Sequence, residues 1–324
     1  MSLKRLVDVG TVAQLLKKNI INKEGVRILD CAYDSAQIKK KPDWKHYKKE
    51  LYGDFERILA RPCPSKEMYL SGHIPLAPHF CIDAAFYPSE HVRYDIYPPE
   101  IFQKYMQLIG INSDEHLILY SHSRFGGMIY AMKVAWLLKS YGHDKVSVID
   151  GGLPEWKKKG YEISKEDVKL EPGTWTASDC ISTYNINYDE LEGAHGDKPY
   201  IEYIDDLNLL DSRVRGQYEG TASGDFPPSV IGTFIPGFKN LPAAELVDGD
   251  HLRNPDNLRD WLVQHGFKPE KPSVVMCNAG VQACMLAYAI HSVFPNSPIQ
   301  VYNGSMGEMK VRNPKRISAL MENV

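Results

Sequence analysis

The sequence lacks any long apolar run. None of its 324 residues falls in a stretch approaching the ~18 consecutive apolar residues of a membrane span, so no membrane partner is expected. It also lacks an excess of charge of either sign. Lys plus Arg total 38 and Asp plus Glu 41, a formal net charge of −3. That balance leaves no electrostatic footprint for nucleic acid or an anionic lipid surface. Six cysteines occur, but no two form a Cys-x-x-Cys pair, so the spacing of a zinc site is missing and no metal is expected. The segment Met1 to Gly10 carries Lys4 and Arg5 with no apolar run behind them, so no secretory signal is expected. Without export a disulfide framework is not expected either, and each cysteine defaults to a reduced, buried, unreactive thiol. The expected compartment is a reducing one, the cytoplasm, with the mitochondrion as the alternative.

What is present is an ordinary globular composition, 43% hydrophobic and 24% charged. At ~150 residues per domain the length suggests two domains. An internal repeat supports this. Ile28-Leu29-Asp30-Cys31 resembles Leu209-Leu210-Asp211-Ser212, and Ile74-Pro75 matches Ile235-Pro236. Leu117 to Tyr120 matches Ser273 to Met276, and Val146 to Gly152 matches Ile299 to Ser305. The offsets between copies are 181, 161, 156 and 153 residues, so order is kept while the first copy holds an insertion between Asp34 and Leu70. The basic stretch Lys39 to Lys49 within it reads as a solvated face or loop.

Each copy alternates short apolar strands with helical patterns. Met128 to Leu138 and Ala283 to Ile290 read as largely buried helices. This alternation predicts an α/β fold with mainly parallel sheets flanked by helices. The charged segment Glu162 to Thr174, with Pro172-Gly173, is the natural linker. The expected domains are 1–162 and 175–324, with a cleft between them where ligands sit.

Cys277 is unlike the other cysteines. It follows the apolar strand Ser273 to Met276 and precedes a helix expected to begin near Ala283. The loop between, Asn278-Ala279-Gly280-Val281-Gln282, is short, uncharged and contains a glycine. In α/β sheets ligands sit at the carboxyl ends of strands. A loop entering a helix presents unpaired N–H groups and the positive end of the dipole. Both favour a thiolate. In the first copy Ser121 takes this place without a Gly-x-Ser-x-Gly nucleophile elbow, so that loop reads as structural.

Two chemistries use a strand–Cys–loop–helix unit. Cysteine phosphatases need an arginine after five intervening residues, to bind phosphate bidentately. Here that position is Ala283, which disfavours phosphoryl transfer. Sulfur transfer through a persulfide needs only an activated thiolate and a loop that shelters an anionic disulfane.

The chain is similar to the tandem rhodanese family of thiosulfate and 3-mercaptopyruvate sulfurtransferases, over nearly its whole length. The residues that carry this are Ser71-Gly72-His73-Ile74-Pro75, Ile149-Asp150-Gly151-Gly152 with Glu155-Trp156, Asp211-Ser212-Arg213 with Gly216 and Gly220, and Cys277 with Gly280-Val281 and Ala283. The resemblance implies two rhodanese-like domains, the first without the catalytic cysteine. It also implies a persulfide on Cys277 held by residues 278 to 282, and no cofactor. The implied partners are a small anionic sulfur donor, thiosulfate or 3-mercaptopyruvate, and an acceptor such as cyanide, a small thiol or thioredoxin.

This chain departs from the pattern at two places. Thiosulfate-using members read Cys-Arg-Lys-Gly-Val-Thr and mercaptopyruvate-using members Cys-Gly-Ser-Gly-Val-Thr, whereas here the loop reads Cys277-Asn-Ala-Gly-Val-Gln282. Where the family has a donor-binding arginine, Gln217 stands, and it cannot form a charged fork. Arg215 is a candidate to compensate. His73 keeps a family histidine, read as a loop-holding group or a proton relay. These losses motivate an alternative, a low-turnover persulfide carrier or regulatory binding protein on the same scaffold. A third reading is an inert interaction module in which Cys277 titrates like a free thiol.

Overall fold

A computed structural model describes residues 3–34, 42–122, 124–221 and 230–319. Two parallel sheets form its frame. The first contains β1 (Leu6–Val7), β2 (Val26–Asp30), β3 (His116–Tyr120) and β4 (Val146–Ile149), in the order β1-β4-β3-β2. The second contains β5 (Asn185–Ile186), β6 (Asn208–Asp211), β7 (Lys239–Asn240), β8 (Ser273–Met276) and β9 (Ile299–Tyr302), in the order β7-β6-β8-β9-β5. Every pairing within these two sheets is parallel. The register sets Asp30 opposite Tyr120 in one and Asp211 opposite Met276 in the other. The strands are apolar along most of their length because such sheets are covered on both faces.

Four helices position the site: α1 (Ile129–Ser140), α2 (Arg215–Glu219), α3 (Val281–Val293) and α4 (Ser305–Arg312). Nearly every residue of α1 and α3 is buried, which explains why neither shows an amphipathic stripe. They come from opposite halves of the chain and pack together in one apolar cluster that spans both halves. Side-chain alternation along a strand then sorts the cores. Leu117, Leu119, Val275 and Cys277 point into the shared cluster. Ile118 and Tyr120 face a second cluster outside the first sheet. Val274 and Met276 face a third outside the second sheet. The parity of β8 therefore turns Cys277 toward the other half of the molecule.

Between the sheets, residues 165–180 form no helix or strand. Residues 175–180, counted in the expected second domain, lie against the first half. Trp175 is fully buried against Phe102 and Tyr141, and the Cys180 amide donates to Ser140 O. The basic stretch is described only from residue 42 onward. There Trp44–Glu50 is a short helix capped by Asp43, burying Tyr47 and leaving Lys48 and Lys49 exposed.

Candidate active site

Cys277 lies at the carboxyl end of β8. Its side chain is 1% exposed, so the sulfur sits below the surface. Its backbone is fixed from α4. Ser305 Oγ accepts from the Cys277 amide at 3.1 Å and from the Gly280 amide at 3.2 Å, and donates to Tyr302 O at 2.7 Å. The amides of Met306 and Gly307 close on the carbonyls of Cys277 and Asn278. Ser305 holds a left-handed backbone, φ +53°, at a position where the first repeat has Gly152 with φ +49°.

The loop is shorter than the sequence reading gave it. α3 begins at Val281, with Gly280 capping it at φ +74°, so Val281 and Gln282 form the helix's first turn. Glycine is required there on two counts, since a Cβ would also lie 2.1 Å from Asn303 Oδ1. Among the described residues, the amides of Asn278, Ala279, Val281 and Gln282 have no acceptor. They are the orphan donors of a helix start, beside its positive dipole end. Asn278 Oδ1 is buried without a partner.

Gln217, on α2, belongs to this group. Its Oε1 accepts from Asn278 Nδ2 at 3.2 Å and from Gln282 Nε2 at 3.3 Å. Gln282 Oε1 in turn accepts from the Val214 amide at 3.1 Å. These neutral side chains thus knit the loop to α2.

The other two expected substrate-binding residues are placed elsewhere. Arg215 is ion-paired with Glu245 on the surface, its Nη2 2.9 Å from Oε2, because a carboxylate outcompetes a neutral loop for a guanidinium. His73 is fully buried in the first half. Its Nδ1 meets Tyr69 O at 3.1 Å and its ring stacks on Tyr69. Burial lowers its pKa. This is the geometry of a loop-holding histidine. Arg213 is a structural partner of Asp211, with Nη2 at 2.6 Å and both side chains fully buried. In the first repeat Ser121 is buried, its Oγ donating to Gly127 O at 2.8 Å.

One residue escaped the sequence reading. Lys133 of α1 is 1% exposed, and its Nζ lies 3.2 Å from Asn303 Oδ1 and 3.5 Å from Gly280 O. The signal was present, because it is the one charge in the otherwise apolar run Met128 to Leu138.

The rhodanese-like domain family matches residues 12–159. Over 323 residues, 98% of each chain, the sequence is 48% identical to the Caenorhabditis elegans protein named "Putative thiosulfate sulfurtransferase mpst-1". This chain belongs to the rhodanese family of sulfurtransferases. It is 30% identical to the 3-mercaptopyruvate sulfurtransferase of Escherichia coli strain K12, over 75% of this chain and 82% of that one. The crystal structure of SseA, a 3-mercaptopyruvate sulfurtransferase from Escherichia coli, superposes with a TM-score of 0.69 at 23% identity. That match covers 94% of this chain and 99% of SseA, and it bears out the rhodanese fold that the family resemblance implies.

Proposed function

We propose that the protein transfers sulfane sulfur from a small anionic donor, thiosulfate or 3-mercaptopyruvate, to a thiol or cyanide through a persulfide on Cys277. The observation that carries this is the placement of Cys277 at a strand end beside four backbone amides without acceptors. Such donors favour the anionic sulfur before attack and the terminal sulfur of the disulfane after it. The names of the relatives support the donor class.

The Cys277 thiolate attacks the outer sulfur of thiosulfate, forming the S–S bond as sulfite leaves with the electron pair. With 3-mercaptopyruvate the C–S bond breaks, the thiol proton passes to carbon and pyruvate leaves. An acceptor thiolate then attacks the terminal sulfur, takes it as its own persulfide and returns the Cys277 thiolate. Cyanide takes it as thiocyanate. Gln217, Asn278 and Gln282 offer the donor hydrogen bonds rather than a charged fork, so affinity for a doubly charged donor is expected to be modest. The near-complete burial of Cys277 favours a second reading, a carrier that loads one sulfur and releases it slowly.

Steady-state assays with each donor, using cyanide and reduced thioredoxin as acceptors, test the proposal. Turnover that disappears in Cys277→Ser supports it. A single loading without turnover supports the carrier. Neither loading nor turnover with either donor overturns both.

A further inference from the structure

The active loop has no cation, yet a cation reaches it from the other half of the molecule. Lys133 lies inside α1, with its whole side chain enclosed. Among the described residues no carboxylate pairs with it. Its ammonium is solvated by Asn303 Oδ1 at 3.2 Å and Gly280 O at 3.5 Å. The faces of Phe86 and Tyr94 lie over it, at 4.4 and 4.9 Å from their ring centroids. These neutral partners compensate burial only in part, since an enclosed ammonium without a counter-ion is costly. Retention of a lysine here calls for an anion.

Among the described residues, the titratable groups that act on Lys133 are the thiols of Cys284 and Cys277. Burial pulls the lysine below its ordinary pKa, and an anionic sulfur nearby opposes that only in part. Cys284 lies within α3, and burial pushes its thiol up to about 11 against the opposing pull of Lys133. Cys277 heads the loop whose Gly280 carbonyl the ammonium touches, its amide is held by the same Ser305 hydroxyl as that of Gly280, and its side chain faces the cluster between the two halves, so the geometry makes it the sulfur this cation serves.

We propose that the ammonium of Lys133 is the fixed positive charge of this site, a positioning residue that favours the anionic sulfur of Cys277, as thiolate and as persulfide. The inference rests on the sulfur-transfer reading for its purpose, but its physical content concerns Cys277 alone. It explains how a loop with no cation of its own can hold an anionic sulfur. The charge is supplied across the interface between the halves, at a distance from solvent where screening is weak. It also gives the first half a part in the chemistry although Ser121 replaces its cysteine.

Three variants separate charge from hydrogen bonding. Lys133→Arg keeps the charge. Lys133→Gln keeps a donor toward Asn303 and Gly280 without charge. Lys133→Met keeps neither, and a buried charge replaced by a matched apolar chain usually leaves the fold intact. The measurement is the rate of Cys277 modification by methyl methanethiosulfonate from pH 5 to 10, read on the Cys277 peptide by mass spectrometry. Cys284 lies on the same tryptic peptide and is separated from Cys277 by fragment ions, whereas Cys63 lies on a different peptide.

The expected result is a shift of the Cys277 profile by about one pH unit to the alkaline side in both Gln and Met variants, a tenfold slower reaction near neutrality. Lys133→Arg should stay within a few tenths of a pH unit of the wild type. A Gln variant that behaves as wild type would assign the effect to hydrogen bonding, and unchanged profiles in Gln and Met would remove any role. Either result overturns the proposal. Should the Met variant not fold, the Gln and Arg pair decides alone. Failure of the sulfur-transfer reading shows separately, as a wild type that takes up no sulfur while the variants still shift the profile.

Discussion

The hydroxyl of Ser305 accepts the amide proton of Cys277 at 3.1 Å and that of Gly280 at 3.2 Å. One side chain thus fixes both ends of the sulfur-bearing loop, and it does so from a left-handed backbone at φ +53°. The first repeat places Gly152 there and has no cysteine loop to hold. A strained serine is retained where its oxygen has two amides to bind.

Replacing Ser305 tests that relationship. Ser305→Ala keeps the left-handed strain and strands two buried amides, an expected loss of about 2–4 kcal/mol. Ser305→Gly strands the same amides but relieves the strain, so it should lose about 0.5–1 kcal/mol less. Urea unfolding of the three proteins checks the order. Equal stability of Ala and Gly variants would contradict the strain, and wild-type stability in both would contradict the hydrogen bonds.

A second thiol should react early. Cys63 is half-buried at the start of the helix Pro64–Ser71. The neighbouring Cys81 thiol, with help from the Lys66 and Ser65 amides and against burial, lowers its pKa below the ordinary thiol range. The same contact, together with burial, raises Cys81. Cys63 should therefore be alkylated at pH 7 well ahead of Cys81, and Cys81→Ala should slow it. Peptide-resolved labelling that finds the two equally reactive would refute the pairing.

Acid should weaken the fold in a defined window. Burial holds His143 at about 4, below the ordinary 6.5, and His291 likewise at about 4. In the unfolded chain these rings take protons near pH 6.5, whereas in the folded chain they resist until about 4. Stability is full above the upper value and is lost as pH falls toward the lower one. Each ring contributes at most about 1.4 kcal/mol per pH unit. His143→Gln retains an acceptor for Trp175 Nε1, which lies 3.1 Å from Nδ1, and should flatten the slope by that amount. Urea midpoints at pH 7 and pH 5 measure it, and an unchanged slope would refute the assignment.

The repeat carried most of the fold in the sequence. Apolar strands ending at Asp30, Asp211, Tyr120 and Met276 became paired neighbours in two parallel sheets, because strands buried on both faces leave continuous apolar runs. Cys277 was legible because a cysteine between such a strand and a helix has one geometric meaning. Gln217 was legible by its place in a pattern, and it does meet the loop. Arg215 was not, because its distance from Gln217 along the chain gives no direction, and Glu245, thirty residues away, claims it. Nor was Lys133, whose partners lie on the opposite half of the chain. Local periodicity identifies a buried helix but does not say what that helix faces. The helix start was misjudged by two residues, since Gly280 read as loop freedom when it is the left-handed cap of α3.

The most direct test of a persulfide on Cys277 is the intact mass after incubation with one donor and removal of excess. The account predicts a gain of one sulfur, about 32 mass units, mapped to the Cys277 peptide. The gain should be absent in Cys277→Ser and present in Cys63→Ser. No gain with either donor, or a gain that stays in Cys277→Ser and disappears in Cys63→Ser, would contradict it.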